Sequence, residues 1–156
     1  MKKINHFLNI NELKKSEVFA IVKNSHILKK NYGKKKLKKK KILGMIFEKP
    51  STRTRVSFEV GMKHLGGDVV VLDQNDSQLG RGESINDTVK VLSRYVDVIM
   101  YRGKNEKKLY EISQSSSVPI INGLTEKSHP CQILADIMTL EEKFKNVEKL
   151  NICWVG

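Results

Sequence analysis

The sequence predicts an α/β protein, a three-layer domain whose mostly parallel sheet carries helices on both faces. Three observations predict it. Short apolar runs alternate along the chain with longer segments of helical period, the pattern of strand–helix–strand units. The runs are apolar almost throughout, as strands buried in a parallel sheet are. The residues that follow each run are the chemically rich ones, and open parallel sheets build their sites beyond the carboxyl ends of their strands. A length of 156 residues suffices for one domain with a true core, and 39% hydrophobic with 29% charged residues is ordinary globular composition.

Residues 11–32 place Leu13, Val18, Ile21, Val22 and Leu28 near a 3.6-residue period, with Asn11 suited to cap this helix and Gly33 to end it. Residues 34–41, Lys-Lys-Lys-Leu-Lys-Lys-Lys-Lys, then supply much of the formal net charge of +12. No aromatic residue interleaves them, so they are not a stacking surface for single strands. They read as a solvated loop that also helps draw in a small anionic substrate, with a nucleic-acid patch the alternative.

Ile42-Leu43-Gly44-Met45-Ile46-Phe47 reads as a buried strand, and Glu48-Lys49-Pro50-Ser51-Thr52-Arg53-Thr54-Arg55 follows it. Pro50 stops the strand, and Ser51 is a good N-cap for a helix carrying Val56, Phe58, Val60, Met62 and Leu65. A helix N-terminus presents free N–H groups and the positive end of its dipole. Two hydroxyls, Arg53 and Arg55 at that end make a phosphate cradle without a glycine-rich loop. The plainer reading is a cap with solvated arginines; the other strand ends decide between them.

Gly66-Gly67 announces a buried strand over 68–72, and the polar residues 73–83 form a loop. A helix starts at residues 83–84 and passes through Val89, Leu92 and Tyr95. A strand over 96–101, a helix over 104–115 and a strand over 118–122 follow, Pro119 marking the start or the edge of the last. Residues 130–144 are a long helix with Ile133, Ile137, Met138 and Leu140 on one side, and 151–156 read as another strand.

The first strand thus ends at the Ser-Thr-Arg-Thr-Arg run, and the second leads to a loop with Gln78 and Arg81. The third ends at Arg102 and Gly103, and the fourth leads through Gly123 to His129-Pro130-Cys131-Gln132. Such a set polarises a carbonyl and holds a phosphate. It includes no carboxylate cluster for a metal, no Gly-x-Gly-x-x-Gly for a dinucleotide, and no nucleophile with its own base, so neither metal nor cofactor is expected. Cys131 and Cys153 have neither metal-ligand spacing nor a disulfide framework and read as reduced thiols. With no signal-peptide core at the N-terminus and no membrane-length apolar stretch, the expected location is the cytoplasm.

Plainer roles compete at several positions. His129 precedes a proline and is placed to cap the last long helix. Cys131 lies in a helix's first turn, where thiol pKa falls, and reads as a spectator. Glu48 is either a general base or, beside Lys49 and Arg53, an ion-pair partner. His6, His26 and His64 read as surface residues, and Trp154 as core.

Phe47-Glu48-Lys49-Pro50-Ser51-Thr52-Arg53-Thr54-Arg55-Val56-Ser57-Phe58-Glu59, with Tyr101-Arg102-Gly103 and His129-Pro130-Cys131-Gln132-Ile133-Leu134-Ala135-Asp136, resembles the aspartate/ornithine carbamoyltransferase family. The context of Arg102 and the Cys131 variant of the His-Pro-x-Gln motif resemble its ornithine branch. The resemblance implies transfer of a carbamoyl group from carbamoyl phosphate to the side-chain amine of L-ornithine, giving L-citrulline and phosphate. By the same resemblance Ser51, Thr52, Arg53 and Thr54 bind the phosphate, and Arg102 bridges phosphate and carbonyl oxygen. His129 bonds that oxygen, Gln132 holds the carbamoyl nitrogen, and Gln78 reaches a neighbouring subunit's site. Catalytic duty falls to Thr54, Arg102 and His129. Family members are typically homotrimers or assemblies of trimers.

The resemblance covers the whole chain but only the leading part of the family's pattern. It implies a carbamoyl-phosphate-binding domain over 1–150 and the first strand of an amino-acid-binding domain over 151–156. The later motifs that recognise ornithine are absent, so the chain is expected to be inactive alone. The alternatives are a non-catalytic carbamoyl-phosphate-binding module, or a transferase for putrescine, an acylated ornithine or aspartate. Without a sheet to join, 151–156 are expected to be disordered or packed in a makeshift way, exposing Ile152 and Trp154.

Overall fold

β1 (Ile42–Phe47) is the strand from which the sheet grows, buried from Leu43 to Phe47. The computed structural model describes residues 4–73, 84–144, 146–153 and 155. β2 (Asp68–Asp73) pairs with one side of β1, β3 (Val98–Arg102) with the other, and β4 (Ile120–Leu124) lies beyond β3. All three pairings are parallel, in the order β2-β1-β3-β4. The chain builds outward from β1 to β2 and then returns to the opposite side for β3. That reversal opens a crevice between the carboxyl ends of β1 and β3, where Phe47 pairs with Arg102.

Among the described residues five helices surround the sheet: α1 (Lys15–Lys30), α2 (Thr52–His64), α3 (Ile85–Leu92), α4 (Glu106–Ser115) and α5 (Pro130–Lys143). On one face Ile46, Ile99, Tyr101 and Ile120 pack with Val89 and Leu92 of α3 and Leu109 and Ile112 of α4. On the other, Leu43, Met45, Phe47 and Met100 pack with Phe58 and Met62 of α2. The expected three layers are formed. α5 lies beside β4 with α1 against it, tied by His26 to Glu141 at 2.9 Å and Lys29 to Glu142 at 2.7 Å. Among the described residues no helix is long and apolar enough to cross a membrane.

Several expectations are corrected. Asn11 does not cap α1; Asn9 caps a short 3-10 turn at Ile10–Glu12, and α1 starts at Lys15, where Glu17 accepts from the Lys14 N–H at 2.8 Å. Gly33, at φ +70°, does follow its end. β2, one of the two edge strands, is half-exposed rather than buried, with Asp68 and Val70 on its exposed side. β3 starts two residues later than read, since Asp97 turns back to accept the Ile42 N–H at 2.8 Å and pair with Lys41 at 2.6 Å. On α5, Ile133 is exposed and Leu134 half-buried, so the apolar side is rotated from the one read. Residues 151–153 form no strand and lie exposed, for no strand runs beside them among the described residues; Ile152 keeps 69% of its surface. Trp154 and the loop 74–83, with Gln78 and Arg81, lie outside the described residues.

The histidines read as surface residues are half-buried: His6 Nδ1 accepts the Ile120 N–H at 3.1 Å, and His64 meets the Tyr32 ring edge-on. The lysine run is exposed, as read, but it precedes β1 and so lies at the amino end of the sheet. A strand of that length spans about 20 Å, more than two Debye lengths of about 8 Å at physiological salt. Its field reaches the crevice at the other end only weakly, too weakly to steer a small anion there.

Candidate anion-binding active site

The crevice is a cleft of about 480 Å³ lined by Ser51, Arg53 and Thr54 of the β1–α2 turn, Arg102 of β3, and His129 and Gln132 at the start of α5. Its floor is built around Thr54. Ser51 caps α2, its Oγ accepting the Thr54 N–H at 3.4 Å and donating to Thr54 Oγ1 at 3.1 Å. The same Oγ1 accepts from Arg102 Nη1 at 2.9 Å, which joins the end of β3 to the first turn of α2. Thr54 is buried, 8% exposed, so this junction is shielded from water. Arg102 Nη1 also approaches the Gly123 carbonyl at 3.5 Å, while its Nε is buried without a partner among the described residues. Burial first, then the positive charge of Arg53, holds the Arg102 pKa below its ordinary value. Two guanidiniums are therefore held near one another with donors to spare, which an anion would relieve.

His129 occupies the N-cap position of α5 but makes no side-chain cap bond, so the capping role is not realised. Its Nδ1 is buried and has no partner among the described residues. Burial and then Arg102 lower its pKa, against the opposing pull of Asp136. The unfolded chain then binds more protons than the folded one below the ordinary 6.5, so this group's contribution to stability is present above that value and lost as pH falls through the folded pKa. An NMR titration is expected to place the His129 midpoint below 6.5; a midpoint above it means that a carboxylate, not the guanidinium, dominates the ring.

Of the other expected residues, Thr52 is exposed and outside the cleft lining, and Arg55 is drawn away to Asp73 at 2.8 Å. Gln132 is in the lining, with its Nε2 donating to Asp136 at 2.9 Å. At Cys131 the fall in thiol pKa expected of a first-turn position is reversed, in keeping with a spectator: burial pushes it up to about 11, and Sγ donates to the Asn122 carbonyl at 3.6 Å. Glu48 is an ion-pair partner as read, but of Lys108, with the Tyr101 hydroxyl on its other oxygen at 2.5 Å. Ser57, Phe58, Leu124 and Ala135 also line the walls, without an expected role in the site. Helical spacing could have found three of them: Ser57 and Phe58 lie one turn after Thr54, and Ala135 one turn after Gln132. Among the described residues no group of His, Cys, Asp and Glu gathers to hold a metal ion.

The sequence model of the aspartate/ornithine carbamoyltransferase carbamoyl-phosphate-binding domain matches residues 5–142. The chain belongs to the aspartate/ornithine carbamoyltransferase family. It is 48% identical over 159 aligned residues to the ornithine carbamoyltransferase of Rhodopseudomonas palustris strain BisA53, covering 97% of this chain and 51% of that protein. The anabolic ornithine carbamoyltransferase of Campylobacter jejuni superposes with a TM-score of 0.84 at 42% identity, over 90% of this chain and 46% of the other. That of Pyrococcus furiosus superposes at 0.83 with 48% identity, over 89% and 45%. The chain thus spans about half the length of the relatives it matches.

Proposed function

We propose that this chain is the carbamoyl-phosphate-binding half of an ornithine carbamoyltransferase. The observation that carries the proposal is the shared Thr54 hydroxyl, which brings Arg102 to the N-terminus of α2 with Arg53 on the same cleft. Phosphate would lie on that N-terminus, on Ser51, on the backbone N–H of Thr52 and on Arg53. Arg102 would span phosphate and carbonyl oxygen, and Gln132 would hold the carbamoyl nitrogen. A neutral ornithine amine attacks the carbonyl carbon; the new C–N bond forms, the C–O bond to phosphate breaks, and phosphate departs with its electron pair as the amine sheds a proton. Thr54, Arg102 and an uncharged His129 donate to the oxygen on which charge builds. No covalent intermediate with the protein is required.

The acceptor would be bound by an amino-acid-binding domain beginning near 151, and Gln78 would serve a neighbouring subunit in a trimer in the cytoplasm. L-ornithine is the acceptor named for the relatives above; putrescine, an acylated ornithine or aspartate would be chosen by residues outside this chain. Titration calorimetry with carbamoyl phosphate tests the site. Saturable binding is expected, weakened at least tenfold in Arg53→Ala, about the 1.5–3 kcal/mol of one charge-assisted contact. Normal binding by Arg53→Ala means that the site is wrongly placed.

A further inference from the structure

We infer that Lys108 is a positioning residue that keeps the anion site open by tethering Glu48 away from it. Glu48 lies beside the site by backbone geometry, its N–H donating to the Arg102 carbonyl at 2.9 Å, and it stands five residues before Arg53 in the chain. Arg53 has no carboxylate partner among the described residues, and Arg102 donates only to the Thr54 hydroxyl and the Gly123 carbonyl. Turned toward the cleft instead, this half-buried carboxylate would compete with an incoming anion for the guanidiniums. Both of its oxygens are instead engaged on the opposite side. Oε2 takes the hydroxyl of the fully buried Tyr101, and Oε1 takes the ammonium of Lys108, which α4 supplies from outside the cleft lining. The carboxylate lies over Gly103, where a Cβ would come within 2.6 Å of it. Tyr101 fixes where the carboxylate sits; Lys108 supplies the charge that outbids the arginines.

This rests on the proposed anion site, and its test separates the two. The chain is titrated with inorganic phosphate and with carbamoyl phosphate. Lys108→Met is expected to weaken both about three- to fivefold, the worth of one partly exposed ion pair now formed by Glu48 with an arginine. Lys108→Met/Glu48→Gln is expected to return to within about twofold of the parent, as are Glu48→Gln alone and Lys108→Arg. A merely structural lysine would give a double variant no better than the single one. Parent-like binding by Lys108→Met, or a double variant as weak as the single, overturns the inference. Should Lys108→Met melt below the assay temperature, Lys108→Gln is read in its place. Binding of phosphate without carbamoyl phosphate sinks the proposed function and leaves the cycle readable; binding of neither anion overturns both.

Discussion

Arg102→Ala is expected to weaken carbamoyl phosphate binding by at least a hundredfold, close to 3 kcal/mol for one charged, doubly engaged donor set. The loss has two parts. The guanidinium itself disappears from the centre of the cleft, and the Thr54 hydroxyl loses the donor that holds it at 2.9 Å. Stability should move the other way or not at all, because Arg102 carries a buried, unpartnered Nε and its charge is already disfavoured by burial and Arg53. Arg102→Lys should fall between the two, keeping the charge but losing the fork that reaches two acceptors at once. Calorimetry and thermal unfolding on the same samples check this. A loss of affinity below threefold, or a parallel fall in melting temperature, would show that Arg102 holds the fold and not the ligand.

The parts of this site legible in the sequence were those set by neighbours in the chain. Pro50 and Ser51 fix the end of β1 and the start of α2 within four residues of each other, and both fell where read. The order of chemistry along the strand ends was legible because parallel sheets collect such ends on one side. What depends on distant partners was not. Val69-Val70-Val71-Leu72 looks as buried as β1, yet Val70 is 42% exposed because nothing pairs beyond β2 among the described residues. Glu48 and Lys108 are 60 positions apart, so the adjacent Lys49 and nearby Arg53 looked like its partners. The first-turn position of Cys131 points to a lowered thiol pKa, whereas its burial beside Asn122 decides that pKa in the opposite sense. Periodicity reports which residues are apolar; it does not report which element stands opposite.

The two glycines flanking this architecture should respond to the same substitution with opposite signs. In Gly103→Ala the new methyl group would stand 2.6 Å from Glu48 Oε2 and closer still to the Tyr101 hydroxyl. Neither neighbour can give way cheaply: Tyr101 is fully buried in the core over α3 and α4, and the Glu48 carboxylate is held by Lys108. Overpacking of this kind costs about 2–3 kcal/mol, or roughly 5–10 °C in melting temperature for a chain of this size. Gly61, by contrast, sits exposed within α2 with nothing within 4 Å of where a Cβ would be. Gly61→Ala relieves the entropy cost of a helical glycine and should raise the melting temperature by about 2 °C. Because Gly103 directly follows Arg102, the displaced backbone should also loosen the Arg102–Thr54 bond, so Gly103→Ala should bind carbamoyl phosphate more weakly even well below its melting point. If Gly103→Ala melts with the parent, the carboxylate and phenol are not packed against that backbone, and the tether that Lys108 is inferred to hold loses its footing as well.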